Sequence, residues 1–362
     1  MHSTAVKTQH AHYRPDVEYD VNVAVLVHYS GRFRERLRHV RRLGLLNGSR
    51  LRVHVTILGS DGNGSSAGDI LEGWTPGFDV TLLEMASVHA IPKINGYYLW
   101  LATASLRARW HLRVDDDSVT DLGRLIAYAD ERFGDSPIHL VNTPLNREIG
   151  RPIFAEFLAG KGLKVPITHE YEASLTTDRA MKAVFASEAA MSFLAETGAR
   201  FCGPGDRALA IAMHLCQIPT AARLPMTKDF RKSDLSLFGG TYAHIHYVNW
   251  GDSQFIKMLA ALVGGATTPF TPDLLPEIVD KSLNFGRCVG FPINDLTFLD
   301  GGLIAGQMHR NEAGWRVNGN SLLLIGSDGL ATTQFHTLLA HEGNRWLIGP
   351  YLKDSLHHYL EL

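Results

Sequence analysis

The chain has 362 residues, of which 45% are hydrophobic and 20% are charged, and its formal net charge is −2. This is the composition of an ordinary globular protein, and so small a net charge gives no reason to expect nucleic acid or an anionic membrane as a partner. Only three cysteines occur, with no CxxC spacing, which argues against a disulfide framework or a cysteine zinc site and favours a reducing compartment. Neither a signal-peptide core nor a run of about 18 apolar residues is present, so we expect a cytoplasmic protein with no transmembrane segment.

The first half of the chain alternates between strand and helix patterns. Residues 1–20 are polar and predict a flexible N-terminal tail. Helices are predicted at 31–49 and 93–110, and strands in the segments VNVAVLVHYS (21–30), RLRVHVTILGSDGNGSSAGD (50–69), FDVTLLEM (78–85) and HLRVDDD (111–117). This order predicts an α/β domain with a mixed, mostly parallel sheet flanked by helices, in which ligands gather at the carboxyl ends of the strands.

The second half of the chain changes character after residue 264. We assign residues 21–264 to the α/β domain and the stretch 265–289, which begins rich in Gly, Thr and Pro, to a linker or helical connection. Residues 290–362 consist of short alternating runs separated by NG, DG and GN pairs, a pattern typical of β-hairpins. They predict a small C-terminal antiparallel β module, which is also the candidate surface for a homo-oligomer.

Three consecutive carboxylates, Asp115, Asp116 and Asp117, end the strand HLRVDDD. Residues i and i+2 of a strand share a face, so Asp115 and Asp117 can point together while Asp116 points away. Two like charges so close destabilise each other unless a cation lies between them, and oxygen ligands favour Mg²⁺ or Mn²⁺. Such an ion commonly binds phosphates, which predicts a metal that holds the diphosphate of a sugar nucleotide as it leaves. A solvated acidic turn is the alternative.

The block PKINGYYLWLATASLRARWHLRVDDDSV (92–119) resembles the core of GT-A glycosyltransferases, especially the β-1,3-galactosyltransferase-like families. Those families pair a helix that opens with lysine and a strand that ends in KVDDDVF. Lys93 and the three aspartates match, whereas Arg113 replaces the usual lysine and Ser118 and Val119 replace the Val-Phe pair. The resemblance implies a GT-A fold and the transfer of a sugar from a nucleotide-diphosphate donor, UDP, to a hydroxyl acceptor, a saccharide or a small molecule.

The same resemblance implies separate roles for the matching residues. Asp115 would face the nucleoside ribose and Asp117 would bind the metal, Mn²⁺ or Mg²⁺, with Asp116 between them at the nucleotide. Asp115 is also the candidate second metal ligand, because it shares a strand face with Asp117. Lys93 would lie near the nucleotide, and an exposed helix start is the alternative for it.

Two downstream segments add candidates for the base and for a further metal ligand. The segment GPGDRALAIAMHL places Asp206 at a helix start, where a carboxylate caps backbone N–H groups. The resemblance implies Asp206 as the general base of an inverting transfer, although Gly205 stands where such families have another acid. His244 and His246 are two apart on a predicted strand, and an imidazole can complete a metal site begun by carboxylates. We prefer His246, with His244 as second choice.

The loops after the first two predicted strands supply candidate nucleotide contacts. His28, Tyr29 and Ser30 follow the first strand and are placed to meet a base and ribose. Asp61 either binds the uracil or ribose or only makes a turn. Six arginines within 32–42 either face an anion or form a solvated helix face.

Two other functions compete with glycosyl transfer. A haloacid-dehalogenase-type phosphohydrolase also uses a DxD at a strand end, but it needs a later acidic pair, and Ala210 stands where the second acid would be expected. A non-catalytic carbohydrate-binding protein would use the β module, but the intact carboxylates and Lys93 argue against it.

Overall fold

The computed structural model of the protein describes residues 6–11, 13–27, 33–59, 71, 74, 78–85, 90–141, 156, 158–162, 173–200, 206–227, 242–246, 248, 252–288, 292–306, 309–354 and 356–362. Contacts within the chain divide it into two compact units, residues 1–226 and 227–362. The finer domain boundaries expected from the sequence, 21–264, 265–289 and 290–362, stay predictions. Among the described helices, none combines the length and the apolar composition needed to cross a bilayer.

The N-terminal unit contains a large sheet with helices packed against it. Its described strands are β1 (Val6–Ala11), β2 (Glu18–Leu26), β3 (Leu45–Leu46), β4 (Val53–Gly59), β5 (Phe78–Met85), β6 (Arg107–Asp115), β7 (Val119–Asp121), β8 (His139–Val141), β9 (Ser174–Thr177) and β10 (Thr220–Ala222). Its described α-helices are α1 (Phe33–His39), α2 (Ala90–Leu101), α3 (Leu122–Phe133), α4 (Asp178–Ala186), α5 (Glu188–Arg200) and α6 (Asp206–Leu215).

The large sheet has the strand order β1-β5-β4-β2-β6-β9-β8-β10. The pairs β2–β4, β2–β6, β4–β5 and β8–β10 are parallel, and the pairs β1–β5, β6–β9 and β8–β9 are antiparallel. Every residue of β4 is buried, as expected for a parallel strand covered on both faces. The prediction of a mixed, mostly parallel sheet flanked by helices is confirmed.

One core joins the sheet to the helices α2, α5 and α6. Tyr97 and Leu101 of α2, Leu194 of α5 and Ile211 of α6 are buried in it together with Leu26 of β2. The helix starts follow local sequence: Asp121 caps α3 by accepting from the backbone N–H of Arg124, and Thr177 caps α4 through Ala180. The core fixes α2 against the sheet, and α2 carries Lys93.

Three segments of the N-terminal unit differ from the sequence prediction. The helix predicted at 93–110 ends at Leu101, and its last four residues belong to β6. Within the predicted tail, β1 pairs antiparallel with the edge strand β5. The sequence VKTQHA has no apolar alternation, and backbone hydrogen bonding to an edge strand does not require one. The predicted helix at 31–49 ends as an α-helix at His39, continues as a π-helix over Val40–Gly44 and gives way to β3.

The C-terminal unit is dominated by an antiparallel sheet. Before that sheet come β11 (Met226–Thr227), at the boundary between the units, β12 (His244–Ile245) and α7 (Ser253–Val263). The strands are β13 (Thr267–Pro269), β14 (Ser282–Arg287), β15 (Pro292–Leu299), β16 (Leu303–Gly306), β17 (Gly314–Val317), β18 (Leu322–Ile325), β19 (Ala331–Phe335), β20 (Thr337–His341), β21 (Asn344–Pro350) and β22 (His357–Glu361), in the order β13-β20-β21-β22-β14-β15-β16-β17-β18-β19. The prediction of a C-terminal antiparallel β module is confirmed.

The segment that the sequence assigns to a linker is part of the packed C-terminal unit. It supplies β13, a 3-10 turn at Pro272–Leu274, helix α8 (Leu275–Ile278) and β14. Phe270 and Ile278 are fully buried in the core of the sheet. The turn-forming residues in this stretch mark tight connections, and its apolar residues are what anchor it.

The sheet of the C-terminal unit curls so that β19 approaches β21. Thr333 forms an antiparallel bridge with Tyr351, and the backbone N–H of His336 donates to the carbonyl oxygen of Ile348 at 3.1 Å. A Cβ atom on Gly349 would overlap the carbonyl oxygen of Gln334, so glycine is required by this approach.

Candidate metal centre

The carboxyl ends of β2, β4 and β6 meet at one edge of the large sheet. Leu26 of β2 is aligned with Leu58 of β4 on one side and with Asp115 of β6 on the other. The backbone N–H of Asp116 donates to the carbonyl oxygen of Leu26 at 3.0 Å, and that of Val27 donates to the carbonyl oxygen of Leu58 at 3.2 Å. The parallel pairing therefore places the acidic triplet beside the end of β2, at the kind of edge where α/β proteins bind ligands.

Two candidate ligands lie side by side. One carboxylate oxygen of Asp115 and one of Asp117 lie within 4.8 Å of each other, with Asp115 buried and Asp117 partly exposed. Carboxylate oxygens suit Mg²⁺ and Mn²⁺. The two carboxylates are therefore a donor set that is compatible with a divalent cation.

The two candidate histidines lie in the C-terminal unit. His244 begins β12 and is fully buried, and His246, which is also buried, follows the end of β12 at Ile245. The roles of both histidines as ligands stay predictions.

Asp116 has surroundings of its own. Its side chain is fully buried, and its Oδ1 lies 3.4 Å from Nη1 of Arg36, whose side chain is 32% exposed. Arg36 belongs to α1, which follows β2 in the chain. The sequence indicated only an arginine-rich segment, and nothing in its pattern distinguishes Arg36 from its neighbours.

Asp115 also has a guanidinium neighbour. Nη1 of Arg113 lies 3.4 Å from Oδ1 of Asp115, and the side chain of Arg113 is only 3% exposed. The two residues are two apart on β6, so the signal that would have found this pair is the same period of two that grouped Asp115 with Asp117. In the sequence alone, Arg113 is visible only as a departure from the KVDDDVF pattern.

Lys93 is buried and contacts the end of β2. Its Nζ donates a hydrogen bond to the carbonyl oxygen of Val27 at 2.8 Å. Burial lowers the pKa of Lys93 to about 8, an effect that the negative charge of Asp116 partly opposes. The ammonium is therefore still mainly protonated at pH 7, and Lys93 is not the exposed helix start that was its alternative.

Several predicted nucleotide contacts lie outside the described residues, namely His28, Tyr29, Ser30 and Asp61. Asp206 is the first residue of α6. Its predicted role as a base, like the roles of these four residues, stays a prediction.

No protein-family model and no curated protein sequence matches this chain. Among solved structures, it is similar to the galactosyltransferase LgtC in complex with donor and acceptor sugar analogs, at 11% identity over 70% of this chain and 99% of that one, with a TM-score of 0.42. It is also similar to mouse xyloside xylosyltransferase 1 in its apo form, at 11% identity over 64% of this chain and 97% of that one, with a TM-score of 0.39.

Proposed function

We propose that this protein is a metal-dependent glycosyltransferase that moves a sugar from a nucleotide-diphosphate donor, UDP-linked, to a hydroxyl group of a saccharide or small molecule. The observation that supports the proposal is the pair of carboxylates of Asp115 and Asp117 at the carboxyl end of β6. Carboxylates held together at such an edge suit a cation that binds phosphate oxygens.

In this proposal, one set of residues would hold the metal and another would contact the nucleotide. Asp117, Asp115 and His246 would hold Mn²⁺ or Mg²⁺, with His244 as the alternative histidine. When bound, such an ion supplies Lewis-acid stabilisation of the charge that grows on the leaving diphosphate.

The nucleotide itself would contact residues at the ends of β2, β4 and β6. Asp115 would also face the ribose, and Asp116 and Lys93 would contribute charge near the diphosphate. The remaining nucleotide contacts of the proposal are His28, Tyr29, Ser30 and Asp61.

Asp206 is the proposed general base. Its carboxylate would take the proton of the acceptor hydroxyl as the hydroxyl oxygen attacks the anomeric carbon and the bond to the diphosphate oxygen breaks. Attack opposite the leaving group inverts the anomeric configuration. NMR analysis of the product anomer tests this step: an inverted anomer supports it, and a retained anomer removes Asp206 as the base.

The central experiment compares wild type, Asp117→Ala and Asp135→Ala in hydrolysis and transfer assays with a panel of nucleotide sugars and Mn²⁺. Asp135 is exposed and serves as the matched control. We expect Asp117→Ala to lose at least about 100-fold in activity, because a water molecule cannot take the place of a carboxylate that holds the catalytic cation. Asp135→Ala should keep wild-type activity.

Three results would overturn the proposal or part of it. Equal activity of wild type and Asp117→Ala would remove the metal role of Asp117. Release of phosphate from simple monoesters without nucleotide-sugar binding would favour a phosphohydrolase. Sugar binding without any turnover would favour a non-catalytic carbohydrate-binding protein. A cytoplasmic location and self-association through residues 290–362 stay predictions.

A further inference from the structure

Arg113 is a buried cation in the middle of the large sheet. It lies on β6, where it is aligned with Ala24 of β2 on one side and with Ser174 of β9 on the other. Its side chain is 3% exposed, and its Nη1 is 3.4 Å from Oδ1 of Asp115. A guanidinium stays protonated at all ordinary pH values, so the positive charge at this position is permanent.

The acidic triplet is thus accompanied by cations of the protein itself. Asp115 has Arg113 beside it, and Asp116 has Arg36. Buried charges are tolerated when an opposite charge lies within a few ångströms, and these pairs meet that condition. The repulsion between neighbouring carboxylates is therefore already reduced by side chains of the protein.

This arrangement has a consequence for any cation held between Asp115 and Asp117. A divalent ion that contacts Asp115 would lie within a few ångströms of the fixed charge of Arg113, and like charges in a poorly solvated site repel strongly. The ion would also bind the carboxylate of Asp115, which is now the ion-pair partner of Arg113. Both effects lower the affinity of the site for a free cation.

We propose that Arg113 is a positioning residue that competes with a divalent cation for Asp115 and so keeps the metal affinity of the free protein low. Resting on the function proposed above, we further expect the diphosphate of the nucleotide to compensate for this competition. Its negative charges would contact the cation and offset the repulsion between the cation and Arg113. Metal and nucleotide should therefore bind together more tightly than either binds alone.

The experiment measures Mn²⁺ affinity by electron paramagnetic resonance in wild type, Arg113→Met and Arg113→Lys, without and with UDP. Arg113→Met removes the charge and should bind free Mn²⁺ about 10-fold more tightly, which corresponds to about 1.4 kcal/mol. Arg113→Lys keeps the charge and should remain close to wild type. Arg109→Met is the matched control, because Arg109 lies on the same strand with a 40% exposed side chain.

A second neutral variant, Arg113→Gln, repeats the measurement, and circular dichroism confirms that each variant is folded. If the folded neutral variants bind free Mn²⁺ no more tightly than wild type, or more weakly, then Arg113 does not compete for Asp115 and the inference is wrong. A weaker affinity would mean that Arg113 orients Asp115 for the metal.

The measurements with UDP distinguish a failure of this inference from a failure of the proposed function. Glycosyl transfer by wild type together with an unchanged Mn²⁺ affinity in the neutral variants would overturn the inference alone. Tighter Mn²⁺ binding in the neutral variants, with no effect of UDP and no transfer to any acceptor, would support competition by Arg113 and overturn the glycosyltransferase proposal.

Discussion

Two regions of this protein, one in each unit, bury titratable side chains with different kinds of partner. At the carboxyl end of β6 in the N-terminal unit, Asp115 and Asp116 are buried with guanidinium groups beside them. In the C-terminal unit, His357 and His358 of β22 are mostly buried, and burial is the main cause that lowers their pKa values, to about 4 and about 3. These histidines are therefore neutral at pH 7.

The surroundings of His358 explain why it can be buried without charge. Its Nδ1 is 2.9 Å from the hydroxyl oxygen of Thr333, and its ring packs against Phe285 and Tyr351 at centroid distances of 4.9 and 5.0 Å. Nearby positive groups, Arg287 among them, further disfavour its protonated form. A neutral ring with a hydrogen bond and aromatic neighbours behaves as a packing residue.

These two regions show how a candidate reactive edge differs from a core that only contains polar atoms. Keeping carboxylates charged in a poorly solvated place is costly unless partners are present, and it preserves groups that can bind a cation. Keeping histidines neutral costs less and leaves nothing that attracts a charged ligand. The first arrangement invites a functional interpretation, and the second is explained by packing.

The largest effect on stability is expected from Asp116→Asn. It removes the negative charge beside Arg36 and near the buried ammonium of Lys93, and loss of one partner of a buried pair typically costs about 3 kcal/mol. Hydrogen exchange of β2 and β6, measured by mass spectrometry, reports this loss, with the exposed Asp135→Asn as control. Mn²⁺ affinity should fall less than in Asp117→Asn; the reverse order would contradict the separate roles of the triplet.

The effect of acid on the C-terminal unit is intermediate when it is counted for one histidine over one pH unit, about 1.4 kcal/mol. The folded-state pKa values of His357 and His358 lie below the unfolded value of about 6.5, so only the unfolded state takes up their protons as pH falls. Stability is fully present above pH 6.5 and is lost as pH falls from there toward 4, by about 1.4 kcal/mol per pH unit for each histidine.

The test replaces His358 with glutamine and measures hydrogen exchange of β21 and β22 between pH 4.5 and 7.5, corrected for intrinsic exchange rates. The slope of the free energy of unfolding against pH should decrease by about 1.4 kcal/mol per pH unit, which is the contribution of one proton. His309→Gln, at an exposed position of the same unit, is the control. An unchanged slope in His358→Gln would show that His358 takes up its proton in the folded unit as readily as in the unfolded chain.

The smallest effect is expected from Arg36→Met. Arg36 is 32% exposed, and solvent screens its interaction with Asp116, so the loss should be about 1 kcal/mol or less. Urea unfolding compared with Arg38→Met, an exposed residue on the same helix, measures it. A loss as large as that of Asp116→Asn would mean that Arg36 is the main partner of Asp116, and that Lys93 contributes little.

Much of the fold was predictable because its signals are local. The apolar run of β4, the alternation of strand and helix, and the turn pairs of the C-terminal module depend on residues close in the chain. The strand at β1 was not predictable, since its pairing with β5 uses backbone groups that every residue carries. The burial of Phe270 and Ile278 was not predictable either, because it depends on strands far away in sequence.

The candidate site shows the same division. The period of two along β6 was enough to group Asp115 with Asp117 and to set Asp116 apart, because side-chain direction on a strand is a local property. The sequence alone therefore determined which carboxylates can act together. Only the tertiary structure decided what surrounds them: Arg36 lies beside Asp116, and Lys93 donates a hydrogen bond to the carbonyl oxygen of Val27. Those neighbours come from separate segments, and their approach depends on the packing of the whole sheet and its helices.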